Sequence, residues 1–307
     1  MNGAQRASLI GSALTGVYVI LSCAKAVYLG YLEQGVHPML MLLGCFGLVT
    51  LFFNATQLGD LRRYTARIRA SARDVLVLNV CTTGSWVGYF AALAFLEPAI
   101  AIAILIGIEP VSTVIITRVS QPAAPRLRSD VVTALGILVI ALFLGVITFR
   151  GDSGLGALST WHGFVGIACA VAAGIASAFV VVVSRRLASA GMTASQVMGS
   201  RFGFLLLACA GYAAIAGLSL GPLVTHAGAV VAVAVVGLLV PLFALQKGLE
   251  HGDPIFFVMI DSLSPVIMLA MQAFDPRITF SPLSLAGSLA MVVIVAYGTI
   301  KRYRSLG

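Results

Sequence analysis

The chain has 307 residues, of which 60% are hydrophobic and only 10% are charged, and its mean hydropathy is +1.04. Because a soluble domain carries about a quarter charged residues, this composition excludes an ordinary cytosolic enzyme, a disordered chain and a disulfide-bonded secreted domain. It predicts an all-α integral membrane protein.

Ten apolar stretches follow one another along the chain, each close to the about 20 residues that a transmembrane helix needs. They cover residues 8–30, 36–56, 75–96, 98–119, 131–149, 161–183, 193–216, 227–249, 254–274 and 281–300. Residues 202–246 carry no charge, and the glycine- and proline-containing segment 217–222 predicts the turn that divides this run into two spans. We interpret the first stretch as a retained span rather than a cleaved signal peptide.

Lysine and arginine are distributed unevenly between the two sides of these spans. With the N-terminus in the cytosol, 14 basic residues face the cytosol and only 2, Arg150 and Arg277, face the opposite side. The positive-inside rule therefore predicts that both termini are cytosolic. The net charge of +8 is then a topology signal, and no support remains for a nucleic-acid partner. The predicted location is the inner (cytoplasmic) membrane, crossed many times.

The loop 57–74 carries five arginines. Leu58, Leu61, Tyr64 and Ile68 recur near helical spacing in it, as in a short amphipathic helix on the cytosolic leaflet. The sequence favours the simpler interpretation, in which the arginines determine topology and do nothing more.

The two halves of the chain contain similar segments. Leu93-Ala-Phe-Leu-Glu-Pro98 is echoed by Leu245-Gln-Lys-Gly-Leu-Glu-His-Gly-Asp-Pro254, and each is followed 12 or 11 residues later by a Pro-Val pair, at Pro110 and Pro265. Five spans per half is an odd number, so the second half is expected to be inverted. We predict a first five-helix repeat over 1–153 and a second, inverted repeat over 154–307, together forming one transmembrane domain. Such repeats recur in secondary transporters, with the substrate site at the repeat interface.

Four ionisable residues stand out within the predicted spans: Lys25, Glu109, Arg201 and Asp261. A charge near the bilayer centre costs about 2.5–3.5 kcal/mol on insertion scales, so such residues are expected to face the interior. The functional interpretation is a polar substrate site. The structural alternative is two internal ion pairs, because two acids and two bases sum to zero. The pattern favours the functional interpretation, since intramembrane charges usually mark sites.

Both acids lie beside prolines. Glu109 directly precedes Pro110, and Asp261 lies four residues before Pro265. Proline has no N–H for the carbonyl four residues back, which predicts a broken helix turn at both acids. Unpaired backbone at this depth is tolerated where it lines a cavity. Either acid is also a candidate to carry a coupling proton, with Glu109 favoured for its central position.

Aromatic residues of the third span, Trp86 and Tyr89, are candidates to line the same cavity, although packing alone would explain either one. No metal-ligand spacing and no cofactor-binding motif occurs, so no metal, cofactor or catalytic residue is predicted. Ser22-Cys-Ala-Lys25 and Gly151-Asp-Ser-Gly154 resemble hydrolase motifs, but both lack the companion residues that would activate the serine. We therefore do not predict an enzyme.

The chain resembles the drug/metabolite transporter superfamily, specifically the EamA-like ten-helix exporters. The matching segments are Gly35-Val-His-Pro38, Ala92-Leu-Ala-Phe-Leu, Ile108-Glu-Pro-Val111, Gly136-Ile-Leu-Val-Ile, Arg201, Leu263-Ser-Pro-Val266 and Leu285-Ala-Gly-Ser-Leu. Two positions depart from the family pattern: Gly16-Val-Tyr18 replaces an aromatic pair in span one, and Cys45 stands near the place of a span-two arginine. The resemblance implies export of an amino acid or a similar small metabolite.

We therefore expect a secondary active transporter, an exporter with proton coupling as a hypothesis. The predicted substrate-binding residues are Lys25, Trp86, Tyr89, Glu109, Arg201 and Asp261. The expected partners are a small-molecule substrate and the lipid bilayer, and a monomer is compatible with the sequence. The alternatives are an intramembrane enzyme or flippase-associated protein acting on a lipid-linked substrate, and a scaffold or receptor without transport.

Overall fold

The structure is a computed structural model that describes residues 3–25, 36–93, 95, 98–120, 128–147, 160–272 and 282–304. Within these ranges the chain forms helices and turns and no β-strand. The helices are α1 (Gly3–Ala24), α2 (Pro38–Ala55), α3 (Leu61–Ala70), α4 (Ala72–Leu93), α5 (Pro98–Ser120), α6 (Arg128–Ile147), α7 (Thr160–Ser189), α8 (Ala194–Ser200), α9 (Gly203–Ile215), α10 (Gly221–Thr225), α11 (Ala227–Ala232), α12 (Val240–His251), α13 (Pro254–Asp261), α14 (Ser264–Gln272) and α15 (Pro282–Arg304). The predicted all-α fold is confirmed.

Six helical segments are long and apolar enough to cross a membrane, as judged within the described residues. They are Pro38–Ala55, Ala72–Ala92, Ala101–Ser120, Gly163–Ser189, Ala194–Ile215 and Ala227–His251. These segments coincide with six of the ten predicted spans. Each of the other four predicted spans, around α1, α6, α13–α14 and α15, includes residues outside the described ranges. The apolar helices support a multi-pass membrane protein.

Several helix starts follow directly from the sequence. His37 precedes Pro38 and caps α2, its Nδ1 accepting a hydrogen bond from the Met39 N–H at 3.2 Å. Asp253 caps α13 in the same way, with Oδ1 accepting from the Ile255 N–H at 2.8 Å. In both helices proline takes the first position, where no intrahelical N–H bond is lost.

Large apolar side chains stand exposed on the outside of the bundle, among them Ile215, Leu207 and Val293. A soluble monomer rarely exposes so large an apolar surface, whereas hydrocarbon tails would cover it. The interior is closely packed instead, and its largest buried cluster surrounds Phe46 and Phe202, whose ring centroids are 4.8 Å apart.

Helix pairing encloses a common interior. α7 packs against α4 and α5, α5 packs against α6, and α6 packs against α15. On the other side α1 packs against α12, α13 and α14, while α2 lies against α8 and α9. Two of these contacts need glycine: a Cβ at Gly11 of α1 would lie 2.7 Å from the Cα of Gly252, and one at Gly298 of α15 would lie 2.4 Å from Thr133 Oγ1 of α6.

Three of the predicted spans are not continuous α-helices. Span seven is divided into α8 and α9 at Arg201–Phe202, and span nine into α13 and α14 at Ser262–Leu263. In span eight a π-helical segment, Val233–Leu239, separates α11 from α12. Breaks and π-segments inside helices are frequent at functional sites, and two of these breaks adjoin ionisable residues.

Candidate functional site

Arg201 lies at the break between α8 and α9, and asparagines from neighbouring helices satisfy the interrupted backbone. The side-chain nitrogen of Asn79, on α4, donates to the Ser200 carbonyl at 2.6 Å, and its oxygen accepts from the Phe204 N–H at 3.2 Å. Asn54, on α2, donates to the Gly199 carbonyl at 2.8 Å. Because backbone groups inside a membrane must be paired internally, these two amides hold the break open and position Arg201. Neither asparagine is among the site residues predicted from the sequence.

Asp261 ends α13, and the break that the sequence predicts there is present. Ser264 Oγ donates to the Asp261 carbonyl at 2.6 Å and lies 3.2 Å from the carboxylate oxygen Oδ1. The carbonyl left without its usual partner by Pro265 therefore receives a side-chain hydroxyl instead. The Cys23 thiol of α1 lies 3.4 Å from the Ser264 carbonyl, which joins this turn to the first helix.

Glu109 has a different local structure from the one predicted. α5 runs without interruption from Pro98 to Ser120 and contains Pro110 within it, so the predicted break beside this acid is wrong. The loss of a single backbone hydrogen bond at Pro110 is tolerated, because α5 packs closely against its neighbours α6 and α7. Glu109 is buried, and the Ser177 hydroxyl of α7 donates to its Oε1 at 2.7 Å.

A cavity of about 260 Å³ brings together five of the six predicted site residues: Trp86, Tyr89, Glu109, Arg201 and Asp261. Seven helices and the break at Arg201 supply its walls, namely α1, α4, α5, α7, α12, α13 and α14. The two acids, from opposite halves of the chain, line the same space. The arrangement offers anionic and cationic groups, hydroxyls and aromatic rings to one small ligand, as ligand sites in helical bundles do.

Lys25 lies elsewhere. It lines a smaller cavity of about 60 Å³ together with Met41 and Cys45, and Trp86 borders both cavities. The lysine stem has space there because Gly237 has no side chain: a Cβ at Gly237 would lie only 2.7 Å from Lys25 Cγ. The structure therefore does not place Lys25 beside Glu109, Arg201 and Asp261.

Arg201 is buried as predicted, yet its contacts within the described chain are weak. Nη1 lies 4.0 Å from the Met198 sulfur, Cζ lies 5.0 Å from the centroid of the Phe202 ring, and Nε has no hydrogen-bond partner among the described residues. The ion pairs found in the described ranges include neither Arg201 nor the two acids. Within the described part of the chain, Arg201, Glu109 and Asp261 therefore do not form the internal ion pairs that the alternative interpretation predicts.

Hydroxyl and aromatic groups of α4 form one side of the cavity. Thr82, Ser85, Trp86 and Tyr89 all line it, and their spacing of three, four and seven residues places them on one helical face. Trp86 and Tyr89 were predicted from the sequence, whereas Thr82 and Ser85 were not, although this spacing could have revealed them. Ser177 and Ser264, which hold the acids, carry no such signal.

The cavity is also lined by Tyr18 of α1 and Phe257 of α13, whose ring centroids are 5.7 Å apart. Both rings border the space between the charged groups. Aromatic faces at this place suit the apolar or cationic part of a ligand.

Comparison with known proteins adds a likeness of fold. The chain matches no known family model and no curated protein. A crystal structure described only as "Crystal structure of protein" is similar over 95% of this chain and 98% of its own, with a TM-score of 0.72 and 21% sequence identity. At that identity the likeness establishes a shared fold and says nothing about activity.

Proposed function

We propose that the protein is a secondary active transporter that exports amino acids or related small metabolites across the inner membrane. The observation that carries the proposal is a cavity among membrane-spanning helices that contains the buried Arg201 guanidinium, the buried Glu109 carboxyl and the partly buried Asp261 carboxyl, none of them joined in an ion pair among the described residues. Charged groups held without an opposite charge inside a membrane are costly, and a ligand that pairs with them would relieve this cost.

The architecture that we propose has ten spans in two inverted repeats, with both termini in the cytosol. The helix pairing supports it. In the proposed repeat α1 corresponds to α7, α4 to α12, and α5 to α13 with α14. The contact of α4 with α7 then corresponds to that of α12 with α1, and the contact of α5 with α7 corresponds to those of α13 and α14 with α1. All of these contacts are present. The pairing of α5 with α6 similarly corresponds to that of α14 with α15. A site where the repeats meet is typical of secondary transporters.

The substrate that fits this cavity is a small zwitterion. A guanidinium binds a carboxylate through paired N–H donors, so Arg201 would hold the acid group. Glu109 and Asp261 would hold the ammonium group, and the aromatic walls would cover the remainder. The volume of about 260 Å³ lies just below the about 300–1,000 Å³ of drug-sized ligand sites, which suits a solute of amino-acid size.

Proton coupling remains a hypothesis for the same two acids. A carboxyl group exchanges a proton when its surroundings alternate between dry and hydrated, and alternating access would change the hydration of this cavity. Ser177 and Ser264 can accept or donate a hydrogen bond as the protonation of their acids changes, so neither acid would lose its local partner during the cycle.

Substitution of Arg201 tests the proposed role directly. The wild type, Arg201→Ala and Arg201→Lys would be purified and screened by ligand-induced thermal shift with amino acids and with the matching amines that lack the carboxylate. Arg201→Ala is expected to lose the response to the amino acids and keep that to the amines. Arg201→Lys is expected to recover the response to the amino acids only in part, because lysine lacks the planar, forked guanidinium of arginine.

Uptake into proteoliposomes then separates transport from binding. The exposed Arg118→Ala is the matched control, since it removes an arginine outside the cavity. Normal amino-acid binding and transport by Arg201→Ala would overturn the proposed site. Turnover of a ligand in detergent without a gradient would instead indicate an enzyme.

A further inference from the structure

The connection between α2 and α4 presents arginines and leucines outward at the end of a membrane-crossing helix. Arg62, Arg63 and Arg69 of α3 are exposed, and so are Leu58 and Leu61, at 66% and 47%. α2 is one of the candidate spans and ends at Ala55, so this segment begins where the chain leaves the bilayer. The proposed transport function uses none of these side chains.

α3 is fixed to the rest of the protein by its opposite face. Tyr64 is buried, and its hydroxyl lies 3.3 Å from Asn54 Oδ1. Arg67 Nη1 donates to Gln196 Oε1 at 3.0 Å and also to the Gly191 carbonyl. Two side chains therefore fix the helix against the rest of the protein, and the three exposed arginines project from a fixed helix rather than from a free loop.

We propose that α3, with Leu58 and Leu61, is a docking surface for anionic phospholipids. Guanidinium groups match phosphate oxygens with paired N–H donors, and leucines beside them suit the boundary between headgroups and acyl chains. A determinant of topology alone acts during insertion and requires no fixed helix. Here the helix, its outward arginines and its inward attachment are features of the folded state.

This surface adjoins the cavity through α8. Gln196 belongs to α8, which ends where Arg201 begins the break. A Cβ at Gly199 would lie 3.0 Å from the Tyr64 hydroxyl, so α3 and α8 are in close contact. Lipid bound to α3 consequently stabilises the part of the protein that positions Arg201, and the native state should gain stability by mass action.

The test is a lipid titration of the full chain in neutral detergent, followed by thermal unfolding. Short-chain phosphatidylglycerol is added to the wild type, to Arg62→Gln/Arg63→Gln/Arg69→Gln, and to a control with Arg118→Gln/Arg128→Gln/Arg304→Gln. Both variants lose the same charge at exposed positions. Since each basic residue near an anionic surface contributes about 1 kcal/mol, the α3 variant should need on the order of a hundredfold more lipid for half-saturation. The control variant should lose little of its affinity for phosphatidylglycerol.

Three arms make the outcome decisive. Phosphatidylcholine and inorganic phosphate should give no comparable stabilisation, and raised salt should weaken the response to phosphatidylglycerol because exposed charges are screened. An equal loss in both triple variants would show a general charge effect and overturn the proposal. An unchanged α3 variant would overturn it as well, as would an α3 variant that unfolds at lower temperature in phosphatidylcholine alone, because the arginines would then serve internal packing.

Discussion

Replacing Arg302 with methionine is expected to lower the free energy of unfolding by about 3–5 kcal/mol, because it strands a buried carboxylate. Arg302 lies near the end of α15, outside the predicted spans, and donates through Nη1 to Asp130 Oδ2 of α6. Both side chains are only 3% exposed. Nη2 lies 2.8 Å from Asp253 Oδ2, the N-cap of α13, whose side chain is 33% exposed. One guanidinium therefore joins three helices.

The expected loss of unfolding free energy comes from Asp130 rather than from Asp253. Asp130 Oδ1 has no hydrogen-bond partner among the described residues, so removal of Arg302 would leave the whole carboxylate unpaired. Asp253 keeps its bond to the Ile255 N–H and is open to water. The matched control is Arg186→Met, which breaks the Arg186–Asp74 pair between α7 and α4. Those side chains are 43% and 21% exposed, so about 0–1 kcal/mol is expected.

The pH dependence provides a second signature. Burial raises the pKa of the Asp130 carboxyl above its ordinary value of 3.8, although the positive charge of Arg302 counteracts this. Without Arg302 the pKa rises further. An acid whose pKa is raised by folding binds more protons in the folded than in the unfolded state, so stability falls as pH rises from about 3.8 through the folded value. Acidification from neutral pH should therefore reduce the difference in unfolding free energy between Arg302→Met and the wild type.

The assay is equilibrium unfolding in mixed micelles at several pH values. Arg302→Met/Asp130→Leu should recover most of the lost stability, since an apolar pair of similar size replaces a buried ion pair without loss in many proteins. The reasoning would be refuted if Arg302→Met cost no more than Arg186→Met, or if the double variant were as unstable as the single one.

Three further predictions follow from packing, topology and the site. Gly298→Ala should destabilise the contact of α15 with α6, because its Cβ would lie 2.4 Å from Thr133 Oγ1, whereas Gly16→Ala has nothing within 4 Å and should be neutral or stabilising; equal melting temperatures would contradict this. A reporter active only in the periplasm, fused to Gly307, should give no signal, and a strong signal would exclude cytosolic termini. Glu109→Gln should abolish gradient-driven transport while leaving binding measurable, and a variant that stays proton-driven would remove this acid from coupling.

The charged residues show how much of the candidate site could be predicted from the sequence. Glu109, Arg201 and Asp261 were selected because ionisable groups at membrane depth are costly, and the structure places all three around one cavity. Lys25 satisfied the same criterion and lies in a different cavity. Distance along a span gives depth in the bilayer, but the direction in which a side chain points depends on how its helix is rotated against its neighbours.

The helix breaks show the same division. Pro265 predicts the interruption at Asp261, and it is present. Pro110 predicts a similar interruption at Glu109, yet α5 continues through it. No proline near Arg201 predicts the interruption there. This interruption depends on Asn79 and Asn54, which come from other helices. A local rule states only what a residue removes from the backbone, whereas the neighbouring helices determine whether the loss is compensated.

The sequence by itself determined that the chain is an all-α protein with many apolar helices, because in hydrocarbon a backbone that satisfies its own hydrogen bonds is required and this chain has too little charge for a water-exposed surface. Only the tertiary structure decided which polar groups meet. The cavity draws Trp86, Glu109 and Asp261 from three different helices and Arg201 from the break between α8 and α9, and the ion cluster of Arg302 joins α6, α13 and α15. Such contacts depend on helix rotation and close packing, which are set by many small side-chain contacts distributed over the whole bundle.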